Sequence, residues 1–383
     1  MSETIQCDEV RPTCFNCNRH GIPCSLSQTA PPDLKLPGPY HREASSTLLS
    51  HSSSSHSSAV DLVAPLPSDK LWYQGFELMH HWCTATADTL SSRQDVSYVW
   101  RVAVPREGYK HPFVFHGIQA FAAVHKVYLT QSQSNKDRYL ELCDYHSMLG
   151  LKLFRRELQD ITEHNWLALF SFASVLVLYA FTLPLRSAHQ TLADPISGFL
   201  ELVSLLQGMK TTLGPLRPRV YRSELAPLVY GIWPGEVKEV TGGYPSLDNT
   251  FLPPDLWDAT RQLRFFLETE VPPESLTHYR DAVNSLEYSA RLVALAGAQA
   301  ESGTVIAAFW TLNEKILVDI GCRKPYTLVL VAYYCVYLAG LNRTFWYARG
   351  WVEQVFDQVE RSLASHAAFK SMLEWPRTHV SGL

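Results

Sequence analysis

Residues 166–185 (WLALFSFASVLVLYAFTLPL) contain no charged side chain. A run of that length can cross a bilayer as one helix. It has one other home: the centre of a large helical domain, where neighbours cover a helix that is apolar on every face. Ser171, Ser174 and Thr182 within the run, Pro184 near its end and the lack of a second equally clear span favour the buried helix, with membrane association as the alternative. A second, nearly uncharged run follows Pro325 (YTLVLVAYYCVYLAGL) and is expected to be a core helix that stops at Gly340. The chain is 46% hydrophobic and only 18% charged, against about a quarter in ordinary domains, so it needs a large core or an interior lined for an apolar ligand.

Elsewhere the apolar residues keep a helical period. Trp72, Phe76, Met79, Cys83, Ala87 and Leu90 predict one helix face, with Ser68 or Asp69 as N-cap. Pro112 opens another helix, in which Gly117, Ala120 and Ala123 predict close approach of a neighbour. His111, His116 and His125 share no face at metal-ligand spacing and read as packing or capping residues. Asp160 and Glu163 predict a capping box before the uncharged run. Further stripes run through Ile196, Phe199, Val203 and Leu206, through Leu256, Ala259, Leu263 and Phe266, and through Val283, Leu286, Ala290 and Val293. Val352, Val355, Val359, Leu363 and Ala367 predict a last long helix, and residues 231–254 read as an ordered loop or lid. No stretch alternates with period two between hairpin turns, so sheet is minor at most. The expected fold class is all-α: a large helical-bundle domain over residues 68–383. Before it come a disordered linker over 29–67, whose run at 45–58 (SSTLLSHSSSSHSS) is too polar to pack, and a small cysteine-bearing segment over 1–28.

Four of the eight cysteines lie in CDEVRPTCFNCNRHGIPC, at Cys7, Cys14, Cys17 and Cys24, with spacing C-x6-C-x2-C-x6-C. Thiolates are soft, charged donors, and a C-x2-C pair can grip one zinc ion from a tight turn. Two disulfides are the alternative. Cys83, Cys143, Cys322 and Cys335 are scattered and read as buried free thiols of an intracellular protein. The first 30 residues have no apolar core flanked by positive charge, so no secretory signal is expected.

Cys7-Asp8-Glu9, Arg11-Pro12-x-Cys14-x-x-Cys17 and Gly21-x-x-Cys24 resemble the second two-thirds of the fungal Zn2Cys6 binuclear cluster. That family's six cysteines hold two zinc ions, and its basic first segment enters the major groove of DNA. Cys7 matches the third cysteine and Cys14, Cys17 and Cys24 the fourth to sixth; the first two have no counterpart in these residues. The resemblance therefore implies Zn2+, one ion at most from these four thiolates, where the complete motif holds two. An omitted upstream segment would produce the same abrupt start. DNA is the implied partner and the nucleus the implied location, shared with the cytoplasm. Arg11, Arg19 and His20 are the nearby candidates for phosphate contact. Residues 1–67 carry four basic and six acidic side chains, a poor balance for a free-standing DNA binder.

Three further patches resemble the regulatory domain of the sterol uptake control type within that family: FELMHHWCTATADTLS, HPFVFHGIQAFAAVHKVYL, and LVLVAYYCVYLAGLNRTFWYARGW followed by LEWPR. The resemblance implies a helical sensing domain for an apolar ligand such as a sterol, controlling lipid or secondary-metabolite genes, with a homodimer as a further expectation. Phe170, Phe345, Trp346 and Trp351 are the candidate pocket residues, and filling a core is the bland alternative for all four. No G-x-G-x-x-G, P-loop, H-E-x-x-H or G-x-S-x-G motif occurs, so a regulator is expected rather than an enzyme. The alternative function is a regulatory or interaction protein that does not bind DNA and works through the helical domain alone.

Overall fold

The chain divides into residues 1–64 and 65–383. The computed structural model describes residues 69–229 and 243–380, all within the second unit. The cysteine-bearing segment and the linker lie outside the described residues, as does the first half of the expected lid, 231–242.

The described residues are helical, with no strand among them. The longer helices are α1 (Asp69–His81), α2 (Val104–Lys110), α3 (Pro112–Leu129), α4 (Gln133–Glu157), α5 (Trp166–Phe181), α6 (Pro195–Leu213), α7 (Leu256–Glu270), α8 (Leu276–Ala296), α9 (Ser302–Trp310), α10 (Glu314–Gly321), α11 (Pro325–Thr344), α12 (Val352–Ser362) and α13 (Glu374–Val380). Pro112, Pro195 and Pro325 occupy the first turns of α3, α6 and α11, where a missing N–H costs nothing. Asp194 caps α6 by accepting the Ser197 N–H, and Asn313 caps α10 through Lys315. Gly297, at φ +57°, ends α8 in a backbone region that other residues rarely adopt.

α11 is the axis of the domain. Every residue from 327 to 342 is buried, and α7, α9, α10, α12 and α13 all pack on it. It is long and apolar enough to span a membrane, yet 89% of its apolar window is buried inside the protein. α5 is the second core helix. At 16 residues it is shorter than the uncharged run predicts, because the helix breaks at Thr182 and restarts as a single turn, Leu183–Arg186. The Thr182 hydroxyl donates to the Tyr179 carbonyl at 2.7 Å, closing that end.

Several sequence expectations need correction. The capping box before α5 does not form: Asn165 instead accepts the Thr162 N–H and donates to the Asp160 carbonyl, while Glu163 pairs with Arg219. α11 runs through Gly340 to Thr344. Gly340 is there for packing, since a Cβ on it would run into the ring of Phe251. The last long helix stops at Ser362, and Ala367 starts a separate turn. The predicted stripe holds at Met79, Ala87 and Leu90 but fails at its start: Leu71, Gly75, Leu78 and, just past α1, Trp82 face inward, leaving Cys83 exposed and Trp72 and Phe76 nearly 60% exposed. Gly75 hid that stripe, because its role is to admit the Gln119 amide of α3.

The expected close approach at α3 is present. Gly117 of α3 and Gly150 of α4 form a slot for the Phe172 ring of α5, and a Cβ on either would stand 3.0 Å from it. α4, the longest described helix, gave no sequence signal. Its buried stripe is made of Tyr139, Leu142, Cys143, His146, Gly150 and Phe154, half of them weakly apolar.

Candidate functional site

The four cysteines and Arg11, Arg19 and His20 lie outside the described residues. Four thiolates with one C-x2-C pair match the donor set of a single tetrahedral zinc.

The four candidate pocket residues do not converge. The Trp346 indole N–H donates to the Thr89 hydroxyl at 2.8 Å, and its ring stacks on His125 at 4.5 Å. Phe345 stacks on Tyr347 at 5.3 Å. Trp351 is fully buried, donates to the Phe181 carbonyl at 2.6 Å and lies over Gly198. Phe170 is half-buried on α5. These side chains knit α3, α5, α6 and the end of α11 together, and neither of the two clefts described next is lined by them.

One cleft is a gap of about 10 Å³ beside Phe172, enough for no more than a water molecule. The other is an open groove of about 570 Å³ between residues 191–195 and one face of α12. Two glutamines on α12 build it. Gln354 accepts the Leu192 N–H at 2.7 Å and donates to the Gln190 and Gly350 carbonyls. Gln358 accepts the Ile196 N–H at 2.7 Å and donates to the Asp194 carboxylate at 2.8 Å. Asp194 also receives Arg323 and Ser197. Partial burial would raise the Asp194 carboxyl, but these donors hold it down at about 2. His189, Gln190 and Arg323 all have positive φ. Such strain persists where the surroundings over-determine the backbone, often beside ligand sites. The groove rim carries Thr191, Asp357, Arg361 and Ser362, so it suits a polar ligand better than a sterol.

Glu301 and Asp319 are among the buried carboxylates elsewhere. Glu301 accepts the N–H groups of Ser92 and Arg93, each at 2.8 Å. Burial pushes its carboxyl up to about 7, against the pull of those N–H groups and of Arg93. Asp319, fully buried, receives Lys315, Lys324 and the Tyr279 hydroxyl, each at 2.9 Å, and joins α8, α10 and α11. The Asp194-Pro195 dipeptide before an apolar stripe is a readable N-cap signal. Nothing in the sequence pairs it with Gln358, 164 residues away.

Residues 3–32 match the family model described as the fungal Zn(2)-Cys(6) binuclear cluster domain. The chain is 27% identical over 206 residues to the Zn(2)-C6 fungal-type transcription factor afumD of Aspergillus fumigatus, covering 52% of this chain and 49% of that protein. It is 28% identical over 103 residues to Sterol uptake control protein 2 of Saccharomyces cerevisiae, covering 27% of this chain and 11% of that one. With Sterol uptake control protein 2 of Candida albicans it is 26% identical over 168 residues, covering 41% and 22%. The chain thus spans half or less of the length of these relatives. The resemblance carried by the cysteines is a match to the zinc-cluster family, whose cofactor is zinc.

Proposed function

We propose that this chain is a zinc-cluster transcription regulator that acts in the nucleus, with a share in the cytoplasm, and works by binding rather than by catalysis. In this reading Cys7, Cys14, Cys17 and Cys24 hold zinc, which cross-links the N-terminal segment, and Arg11, Arg19 and His20 meet DNA phosphates. The helical domain is the regulatory module for lipid, sterol or secondary-metabolite genes. One observation carries the reading: similarity to a transcription factor extends over 206 residues, far more than the 64 residues of the first unit, in a chain that also matches the zinc cluster. An apolar effector such as a sterol would have to open the packing around Phe345, Trp346 and Trp351, with Phe170 at its edge. A homodimer belongs to the same proposal.

The test is zinc content and salt-dependent binding of duplex DNA by the full chain. One zinc per chain and a log–log salt slope of about −2 are expected from two arginines. Two zinc ions would overturn the donor count.

A second reading, a regulator that does not bind DNA, is favoured by the net acidity of residues 1–67. Absence of DNA binding by zinc-loaded protein would select it.

A further inference from the structure

Residues 94–110 form one continuous helical rod: Gln94–Tyr98, a π-turn Val99–Ala103, and α2. A π-turn carries an extra residue and leaves a carbonyl without its usual partner. Here Trp82 fills that role, its indole N–H donating to the Trp100 carbonyl at 3.0 Å. The inner side of the rod is sealed by Val99, Trp100, Ala103 and Val104. The outer side shows Tyr98, Val102, Arg106 and Tyr109 at spacings of four, four and three. Tyr98 is 46% exposed, Val102 36% and Tyr109 70%.

The turn at residues 217–224 lies beside this rod, joined to it by Arg106–Glu224 at 3.0 Å. It holds Arg217, Arg219 and Arg222 on a stretch stiffened by Pro215 and Pro218. Arg217 donates to the Tyr221 hydroxyl at 2.8 Å, and Arg219 pairs with Glu163 at 2.7 Å. Counting Arg101 and Lys110 on the rod and Arg93 at its cap, seven cations meet five carboxylates here (Asp88, Asp95, Glu107, Glu163 and Glu224), in a chain whose net charge is −4. Each guanidinium has five donors, so the pairs leave N–H groups to spare.

We propose that this face docks an acidic peptide segment of a partner protein that also carries apolar side chains. Carboxylates of the segment pair with Arg106 and Arg222, and its apolar residues cover Tyr98, Val102 and Tyr109. Duplex DNA fits less well, because Val102 and the tyrosine ring faces offer apolar surface that phosphate contact leaves uncovered, although the tyrosine hydroxyls could donate to phosphate.

The probe is a fluorescent 20-residue synthetic peptide of Asp, Glu, Leu and Phe, titrated into the full chain and read by anisotropy. The expected result is binding that weakens with salt and is absent for a peptide with Lys in place of the acids. Arg106→Glu with Arg222→Glu lowers affinity at least tenfold, Tyr109→Ala lowers it several-fold, and the melting temperature stays unchanged. Charge reversal at exposed positions outside the rod and the groove, Arg261→Glu with Lys370→Glu, leaves affinity intact. Equal loss from both double variants would sink the proposal as a net-charge effect. So would loss of duplex DNA binding, but not peptide binding, from the first pair alone. If the first pair lowers the melting temperature, Arg222→Ala and Tyr109→Ser, both at exposed positions, decide the matter.

Discussion

His116 of α3 and His146 of α4 meet Nδ1 to Nδ1 at 2.9 Å in a part-buried contact between the two helices. One ring must donate and the other accept, so the pair is stable only while at least one ring is neutral. The second nitrogen of His146, Nε2, has no hydrogen-bond partner among the described residues. A second pair, His81 and His125, packs at 5.0 Å between α1 and α3.

These four histidines make the domain acid-sensitive. Burial, then the neighbouring His116, holds His146 at about 3. Burial and Lys126 hold His81 at about 4; burial, His81 and Lys126 hold His125 at about 4; burial lowers His116. Each folded value lies below the unfolded value of about 6.5. The stability involved is therefore complete above pH 6.5 and falls as pH drops toward 4, by up to about 1.4 kcal/mol per pH unit for each group. The melting temperature should fall steeply between pH 6.5 and 4.5, and His146→Asn should make that fall shallower. An unchanged slope in the variant would refute the assignment.

Glu301 acts with the opposite sign. Its folded value of about 7 lies above the ordinary 4.5. The folded state therefore holds the proton more tightly, and stability declines as pH rises from 4.5 through 7. Below pH 6.5 four histidines oppose one glutamate, so acid wins there. Just above it Glu301 sets the slope, with the buried Cys143 thiol, pushed up to about 11, adding to the decline at higher pH, and maximum stability is expected near pH 6.5. Glu301→Gln should remove the decline on the alkaline side, as measured by urea denaturation at pH 6.5 and 8.

Gly340→Ala should destabilise the domain by about 1–3 kcal/mol through overpacking. At a solvent-exposed helix position the same change would stabilise by roughly 1 kcal/mol. The difference is the Phe251 ring lying over Gly340. Combining it with Phe251→Ala should cost less than the sum of the two single changes.

Asp319→Ala should cost about 3 kcal/mol, because it leaves Lys315, Lys324 and Tyr279 without their shared acceptor. Lys315→Met should cost less, since Lys324 still neutralises the carboxylate. Denaturation midpoints that rank the two variants the other way would contradict this account.

Helix positions were largely legible, because the period of apolar residues is a local property. The stripes of α6, α7 and α8 and the burial of α5 and α11 follow from it directly. α4 was illegible because histidine, cysteine and glycine fill its buried face, each chosen for a particular neighbour. α1 was legible as a helix and misread as to its face. Two adjacent stripes carried similar apolar content, and only the fit of Gly75 to Gln119 separates them.

The sequence by itself determined that the chain is helical, that two apolar runs form its core, and that its N-terminal segment carries zinc-cluster cysteines. These features rest on period, charge and spacing within short windows. Only the tertiary structure decided where the aromatics go: Trp346 to Thr89, Trp351 to the Phe181 carbonyl. It alone paired Gln354 and Gln358 with residues more than 160 positions away to build a groove. The physical reason is that a side chain's partner is set by the packing of distant helices. A single sequence records the need for a partner and leaves its identity open.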